Sequence, residues 1–314
     1  MYAYEIISIM KSDTLIRKSS GELEPYDPVK LGRSLKRSGA DEATVSSILK
    51  EIEDWIIKGD GRFRGDRTSK ASTVSYTGSS NIISSRKIYD LAFSLLKKHR
   101  LGSAARYKLK KAMMEMGPTG HPFESFVGQV FNILGYSVEV AQVLKGHCVT
   151  HEVDVVATKD NHQIFLECKY YQTTGKNANV QVPLYVRSRV DDIIRMRKED
   201  PAYNKYTFSG GVVTNTRFTE DAEKFGICSG LKLLSWDFPA GDSLREIVDR
   251  EKIFPVTTLT KLSATDKQRL MEKGIVICRQ IIKDPDILDS VGISGLKKKR
   301  VLDEAEEIAR NGTR

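Results

Sequence analysis

Five charged residues near the middle of this 314-residue chain could do chemistry together: Glu124, Glu152, Asp154, Glu167 and Lys169. Glu167 and Lys169 close the apolar run Ile164-Phe165-Leu166. In a strand, residues two apart share a face, so these two point one way and Cys168 the other. Asp154 sits inside a second apolar run, Val153-Asp154-Val155-Val156. Charges at the ends of buried strands are costly to desolvate and need a partner. The connection between the two runs is short, so the strands can pair and set Asp154 against Glu167, with Lys169 beside them. Two facing carboxylates repel unless a proton or a cation lies between them. Magnesium, or manganese in its place, is the natural cation for an oxygen-only set with open positions. It would polarise a phosphoryl oxygen and acidify a bound water. Lys169 would orient that water or stabilise charge on a phosphorane-like transition state. Glu124, from the helix that precedes these strands, would complete the metal ligands Asp154 and Glu167. Glu152 reads equally as support for a second metal or as a rim carboxylate. A lone Glu-x-Lys is most simply an ion pair; a helix glutamate, a strand aspartate and then Glu-x-Lys favour a site. His147, Cys148 and His151 have no fourth ligand close by, so zinc is not expected.

These residues need a scaffold. Phe123, Phe126, Val127, Val130, Phe131 and Leu134 recur at helical spacing, and Gly135 ends that helix. Strand-like runs follow at 136–143, 152–157 and 163–169. A helix is expected over 182–198, a strand over 207–214, a helix over 219–225 and a strand over 231–236. The order α-β-β-β-α-β-α-β implies a mixed sheet flanked by helices. Upstream, 14–26 reads as a hairpin turning at Ser19-Ser20-Gly21. Asp27-Pro28 caps and starts a helix that Gly39 ends. Further helices fit 41–58, 85–98 and 103–116. The Gly/Ser/Thr/Arg-rich stretch 59–80 reads as a loop. Gly117-Pro118-Thr119-Gly120 and, more weakly, 238–242 punctuate the chain. The expected fold is α+β in three parts: 1–117, a hairpin with a helical bundle; 118–240, an α/β core; and 241–314, a small helical tail.

The chain has 50 Lys+Arg against 41 Asp+Glu, a net of +9. Residues 1–117 carry 22 against 14, and the remainder 28 against 27, so the basic excess lies in the first third. That points to an anionic partner, nucleotide or nucleic acid, unless the charge merely solvates a surface. A hydrophobic fraction of 40% suffices to build cores. No apolar run approaches the roughly 18 residues of a membrane helix. The first ten residues lack a basic region and carry Glu5, unlike a signal peptide. The four cysteines form no CxxC pair, which excludes a zinc ribbon and suits a reducing cytoplasm.

Residues 121–172 resemble the PD-(D/E)XK nuclease superfamily in its Mrr-like restriction-endonuclease branch. The resemblance rests on Phe123-Glu124, Gly135-Tyr136, His151-Glu152-Val153-Asp154-Val155 and Glu167-Cys168-Lys169, and extends to Val212-Val213-Thr214-Asn215-Thr216-Arg217-Phe218-Thr219. The proline that names the motif is absent. The resemblance implies a restriction-endonuclease-like core acting on DNA. In it Asp154 and Glu167 are metal ligands, Lys169 is the catalytic lysine and Glu124 is the helix carboxylate. Residues 14–116 resemble the ATP-cone, a regulatory nucleotide-binding domain. Its carriers are Ile16-Arg17-Lys18-Ser19-Ser20-Gly21, Glu24-Pro25-Tyr26-Asp27, Lys30-Leu31, 34–40, 84–89 and Ala104-Ala105-Arg106-Tyr107. ATP or dATP would then be a regulatory ligand. Lys30, Arg33 and Arg37 share a helix face; Lys18 approaches the same phosphates, Glu24 orients the nucleoside and Ser84 belongs to the signature. The family's Lys-Arg pair is Lys18-Ser19 here, and no P-loop occurs. Residues 288–296, followed by Lys297–Arg300, resemble a helix-hairpin-helix, with a basic cap on a packing helix as the equal alternative. The expected function is a metal-dependent endodeoxyribonuclease gated by ATP or dATP. A nucleotide-responsive DNA-binding regulator with an inactive nuclease fold, and a structure-specific resolvase, are the rivals. Self-association as a homo-oligomer stays open.

Overall fold

The computed structural model describes residues 14–18, 21–58, 82–99, 101–173 and 175–310. The first ten residues, Ser19-Ser20 at the expected hairpin turn and the stretch 59–80 lie outside the described residues. The chain forms two compact units, Met1–Lys108 and Leu109–Arg314. By compactness the division falls after Lys108, and residues 109–314 form one unit.

In the first unit β1 (Leu15–Arg17) pairs antiparallel with β2 (Leu23–Pro25). Asp27 caps α1 (Pro28–Arg37), its side chain accepting from the N–H groups of Val29 and Lys30. Asp41 caps α2 (Glu42–Ile57) through Thr44 N–H. A strand not expected from the sequence, β3 (Ile82–Ser84), lies parallel to β1 and leads straight into α3 (Ser85–His99). Ile16, Leu35, Ile48, Ile52, Ile83, Ala92 and Leu96 bury the faces these elements share. The helix α4 (Leu101–Met114) runs through the unit boundary. Its second half belongs to the second unit because Ala112 and Met113 are fully buried there and the Ala112 carbonyl accepts from Thr257 Oγ1 at 2.8 Å.

The second unit is built on a five-stranded mixed sheet in the order β10-β8-β6-β5-β4. The helix α5 (His121–Ile133) precedes β4 (Ser137–Lys145), β5 (Thr150–Lys159) and β6 (His162–Lys169), an antiparallel meander. The two-residue strands β7 (Asn177–Ala178) and β9 (Arg217–Phe218) pair in a small sheet of their own. Between them run α6 (Gln181–Glu199) and β8 (Thr207–Thr214), the latter parallel to β6. α7 (Glu220–Cys228) then leads to β10 (Lys232–Leu234), parallel to β8. Val182, Val186, Val190 and Ile193 form the apolar stripe of α6 and pack on Val153, Val156, Phe165 and Val212 of the sheet. Gly210 of β8 lies under that helix: a Cβ there would meet Val190 Cγ2 at 2.6 Å.

The tail adds α8 (Leu244–Glu251), α9 (Ala264–Glu272), α10 (Cys278–Lys283) and α11 (Gly295–Arg310). The buried Glu304 of α11 accepts from the backbone N–H of Thr260 and of Lys261 and from Thr260 Oγ1. In the basic run, Lys297 pairs with Asp266 at 2.6 Å, and Lys298 pairs with Asp286 and Asp289. Half of that run is neutralised inside the tail. Among the described residues no helix is long and apolar enough to cross a membrane.

Candidate active site

The candidate residues gather where β5 and β6 part. The ladder between these strands runs from Lys159–His162 to Val155–Leu166. One step further, the same register sets Asp154 opposite Glu167. β6 is the central strand, buried along its length and flanked by β5 and β8, so Glu167 is held deep, 7% exposed. Strict alternation fails in β5 at this point. Val153 and Val156, three apart, both reach the α6 core. Across from Asp154, between the Val140–Val155 and Gln142–Val153 pairs, Ala141 adopts φ 54°. The register is the same on both sides, so no residue is inserted; the left-handed backbone at Ala141 only removes the ladder pair that would face Asp154. Glu152, two residues from Asp154, is exposed.

Asp154 accepts the Cys168 N–H at 2.6 Å. Burial, then the charge of Glu167, raises its carboxyl to about 7. Both oxygens of Glu167 have partners. Tyr185 OH donates to Oε1 at 2.7 Å, Lys169 Nζ lies 2.7 Å from the same oxygen, and Arg189 Nη1 donates to Oε2 at 2.5 Å. The same Arg189 nitrogen donates to the Glu152 carbonyl at 3.1 Å. Burial pulls the Lys169 ammonium down, but its bonds to Glu167 and Tyr185 outweigh that, and its pKa is raised. Lys169 is therefore charged near neutrality. Burial lifts the Tyr185 phenol to about 12, so it is a neutral donor. Glu124 is one-fifth exposed, 3.3 Å from His121 Nδ1, and its charge adds to the raised pKa of Asp154.

Beyond Lys169 the strand end is tied down. Thr214 Oγ1 donates to the Lys169 carbonyl at 2.8 Å. Asn215, fully buried, accepts from Tyr171 N–H at 2.9 Å and donates to the Tyr171 carbonyl at 2.8 Å. Tyr170 OH donates to the Met114 carbonyl, and Gln172 to that of Pro118. These side chains after the lysine are brackets for the chain.

Tyr185 and Arg189 escape a reading of the strands alone. A signal for them exists in α6: Tyr185, Arg189 and Asp192, at i, i+4 and i+7, form a polar row beside the apolar stripe. Asp192 accepts from the Cys148 and Val149 N–H groups and lies 2.8 Å from His151 Nε2, which holds the β4–β5 turn. His151 is thus committed to Asp192, and its neighbours Cys148 and Val149 to the same carboxylate. Among the described residues no group of three or more His, Cys, Asp or Glu is arranged to hold a metal. The oxygens of Asp154, Glu167 and Glu124 nevertheless have the chemistry for magnesium or manganese. The raised Asp154 carboxyl marks a negative charge beside Glu167 that a divalent cation would compensate.

In the first unit Glu24 joins two of the named cations, with Lys18 at 2.9 Å and Lys30 at 3.1 Å. Glu24 and Lys30 line a cavity of about 200 Å³ with Ile16, Tyr26, Tyr89 and Tyr107, the last two stacked 5.0 Å apart. Arg33, Arg37 and Ser84 are not among its lining residues. Ser84 Oγ accepts from Arg86 N–H at the start of α3.

Comparison with known proteins divides the second unit in two. Residues 254–309 match the family model AF1548-like, C-terminal. An uncharacterised protein of Archaeoglobus fulgidus is 26% identical over 175 residues, which span 55% of this chain and 94% of that one. The crystal structure of a protein of unknown function, AF1548, superposes with a TM-score of 0.51 at 24% identity. It covers 61% of this chain and 98% of its own, and shows that the fold is shared. Residues 116–237, the segment that carries Glu124, Asp154, Glu167 and Lys169, match the restriction endonuclease family model.

Proposed function

We propose that this protein is a metal-dependent endonuclease that hydrolyses DNA phosphodiesters, with Asp154, Glu167 and Glu124 as metal ligands and Lys169 as the catalytic cation. The observation that carries this reading is the opposition of Asp154 and Glu167 where two strands part, with the charged Lys169 beside them. A bound magnesium or manganese would supply Lewis acidity toward the phosphoryl group and toward a water. Lys169, held by Glu167 and Tyr185, offers a fixed positive charge to the developing pentavalent phosphate. The brackets from Thr214 and Asn215 fix the strand end that carries it.

A nucleotide, ATP or dATP, acts in this reading as a regulatory ligand of the first unit. The cavity with its tyrosine pair suits a base, and Lys18 and Lys30 suit phosphates once released from Glu24. The sequence carries no P-loop for nucleotide hydrolysis, so in this reading the nucleotide acts by differential affinity for two states. Lys18→Ala with Lys30→Ala should abolish the nucleotide effect and leave basal cleavage unchanged.

The test is cleavage of duplex, methylated and branched DNA by the full chain with Mg²⁺, Mn²⁺, Ca²⁺ or chelator, with and without ATP. Cleavage with Mg²⁺ or Mn²⁺ that is lost in Asp154→Ala and Lys169→Ala is expected. Wild-type rates in either variant, or full activity in chelator, refute the proposal.

A further inference from the structure

Arg189 is the least expected member of the cluster. It comes from α6, not from the strands, and is less than one-third exposed. One nitrogen spans the gap where β5 and β6 part, from the Glu152 carbonyl to Glu167 Oε2. Its guanidinium lies 5.4 Å from the centre of the Tyr185 ring. Lys169 lies over that ring at 5.5 Å, so one phenol carries both cations.

The two oxygens of Glu167 are not equivalent. Oε1 takes the Tyr185 hydroxyl and Lys169, which fills its two lone pairs. Oε2 takes Arg189 and keeps one lone pair. Any cation that binds Glu167 without disturbing Lys169 must bind at Oε2, within a few ångströms of a full positive charge. A buried carboxylate must be paired in the metal-free protein, and Arg189 is the group that pairs it on this side.

We infer that Arg189 is the resident counter-cation of the carboxylate site, holding Glu167 ready and competing for Oε2 with the divalent cation the site takes up. The inference rests on the metal-dependent reading above and concerns the affinity for metal. It makes Arg189 a positioning residue. Two roles give opposite signs. A residue that only braces the two strands would, on removal, loosen the ligands and weaken metal binding. A competing cation would, on removal, strengthen it.

The experiment is Mn²⁺ binding to the full chain, without DNA, followed by calorimetry and by the electron spin resonance of free Mn²⁺. Wild type, Arg189→Gln, Arg189→Lys and Asp154→Asn are compared, with thermal melts to confirm folding. Arg189→Gln is expected to bind Mn²⁺ roughly tenfold more tightly, as the removal of a nearby unit charge from a partly screened site implies. Arg189→Lys, which keeps the charge, should stay within about threefold of wild type. Equal or weaker binding in a folded Arg189→Gln, with wild-type binding that depends on Asp154, overturns the inference and leaves the nuclease reading intact. Tightening in both variants would show that shape and not charge is responsible, and also overturns it. Failure of both wild type and Arg189→Gln to bind Mn²⁺ through Asp154 refutes the two together.

Discussion

Asp154 should make the metal-free protein less stable than it would be with a neutral side chain. Its carboxyl rises from the ordinary 3.8 to about 7 because burial and Glu167 disfavour its charged form. At about 1.4 kcal/mol for each tenfold in proton affinity, this caps the penalty at about 4 kcal/mol. Residual solvent contact at the mouth of the site screens part of it, so about 2 kcal/mol is expected. The sign follows from proton binding. Between about pH 4 and 7 the folded state holds the Asp154 proton and the unfolded state has released it. Stability therefore falls as pH rises through this window, and the full penalty is present above 7. Asp154→Asn removes the charge and keeps an oxygen to accept from Cys168 N–H. At pH 8 in chelator the variant should melt about 4–8 °C above wild type, at about 2–4 °C per kcal/mol for a unit of this size. At pH 4 the two should melt together. Mg²⁺ should then raise the melting temperature of wild type and not that of the variant, because a ligand stabilises only the state that binds it. A variant that is no more stable at pH 8, or equally more stable at both pH values, would show that Asp154 carries no strained charge.

Three further outcomes follow from contacts in the second unit. Glu304→Ala leaves the N–H groups of Thr260 and Lys261 and the Thr260 hydroxyl without their charged acceptor, and should cost about 3 kcal/mol in urea unfolding. Asn215→Ala leaves the backbone N–H and carbonyl of Tyr171 without their side-chain partner; it should cost about 2–3 kcal/mol and lower cleavage even at temperatures where the variant is folded. Gly128→Val drives a branched side chain into β4, where a Cβ already meets Val140 Cγ2 at 2.8 Å, and should cost about 2 kcal/mol or more by thermal melting.

The order of elements in the second unit was legible because its helices and strands have distinct periods. The long stripe at 123–134 and the apolar runs at 152–157 and 163–169 leave little choice. The opposition of Asp154 and Glu167 was legible for a related reason: a short connection permits an antiparallel register, and few registers bury both runs. The failed alternation at Asp154 was not, because it depends on how β4 and α6 pack on β5. Arg189 and Tyr185 were hidden for another reason. A charge on a helix reads as solvated until its phase relative to the sheet is known. The strand β3 is three residues long, too short for a period to show. The unit boundary within α4 follows from which core each half of the helix buries, and a continuous helical pattern carries no mark of that.

The bare backbone at Gly210 has an effect on how this protein tolerates change. With no side chain there, α6 rests close on β8, and the reach of Tyr185 and Arg189 to Glu167 is fixed by that depth. A methyl group at 210 would lift the helix without touching any charged residue. In a saturation scan scored for cleavage, position 210 would rank beside Asp154 and Lys169. Scored for protein abundance, it would separate from them, because a side chain at 210 overpacks Val190 and Leu231 and costs stability that Asp154 and Lys169 substitutions do not. In the nuclease reading the site is thus guarded by a residue that contributes no charge to it.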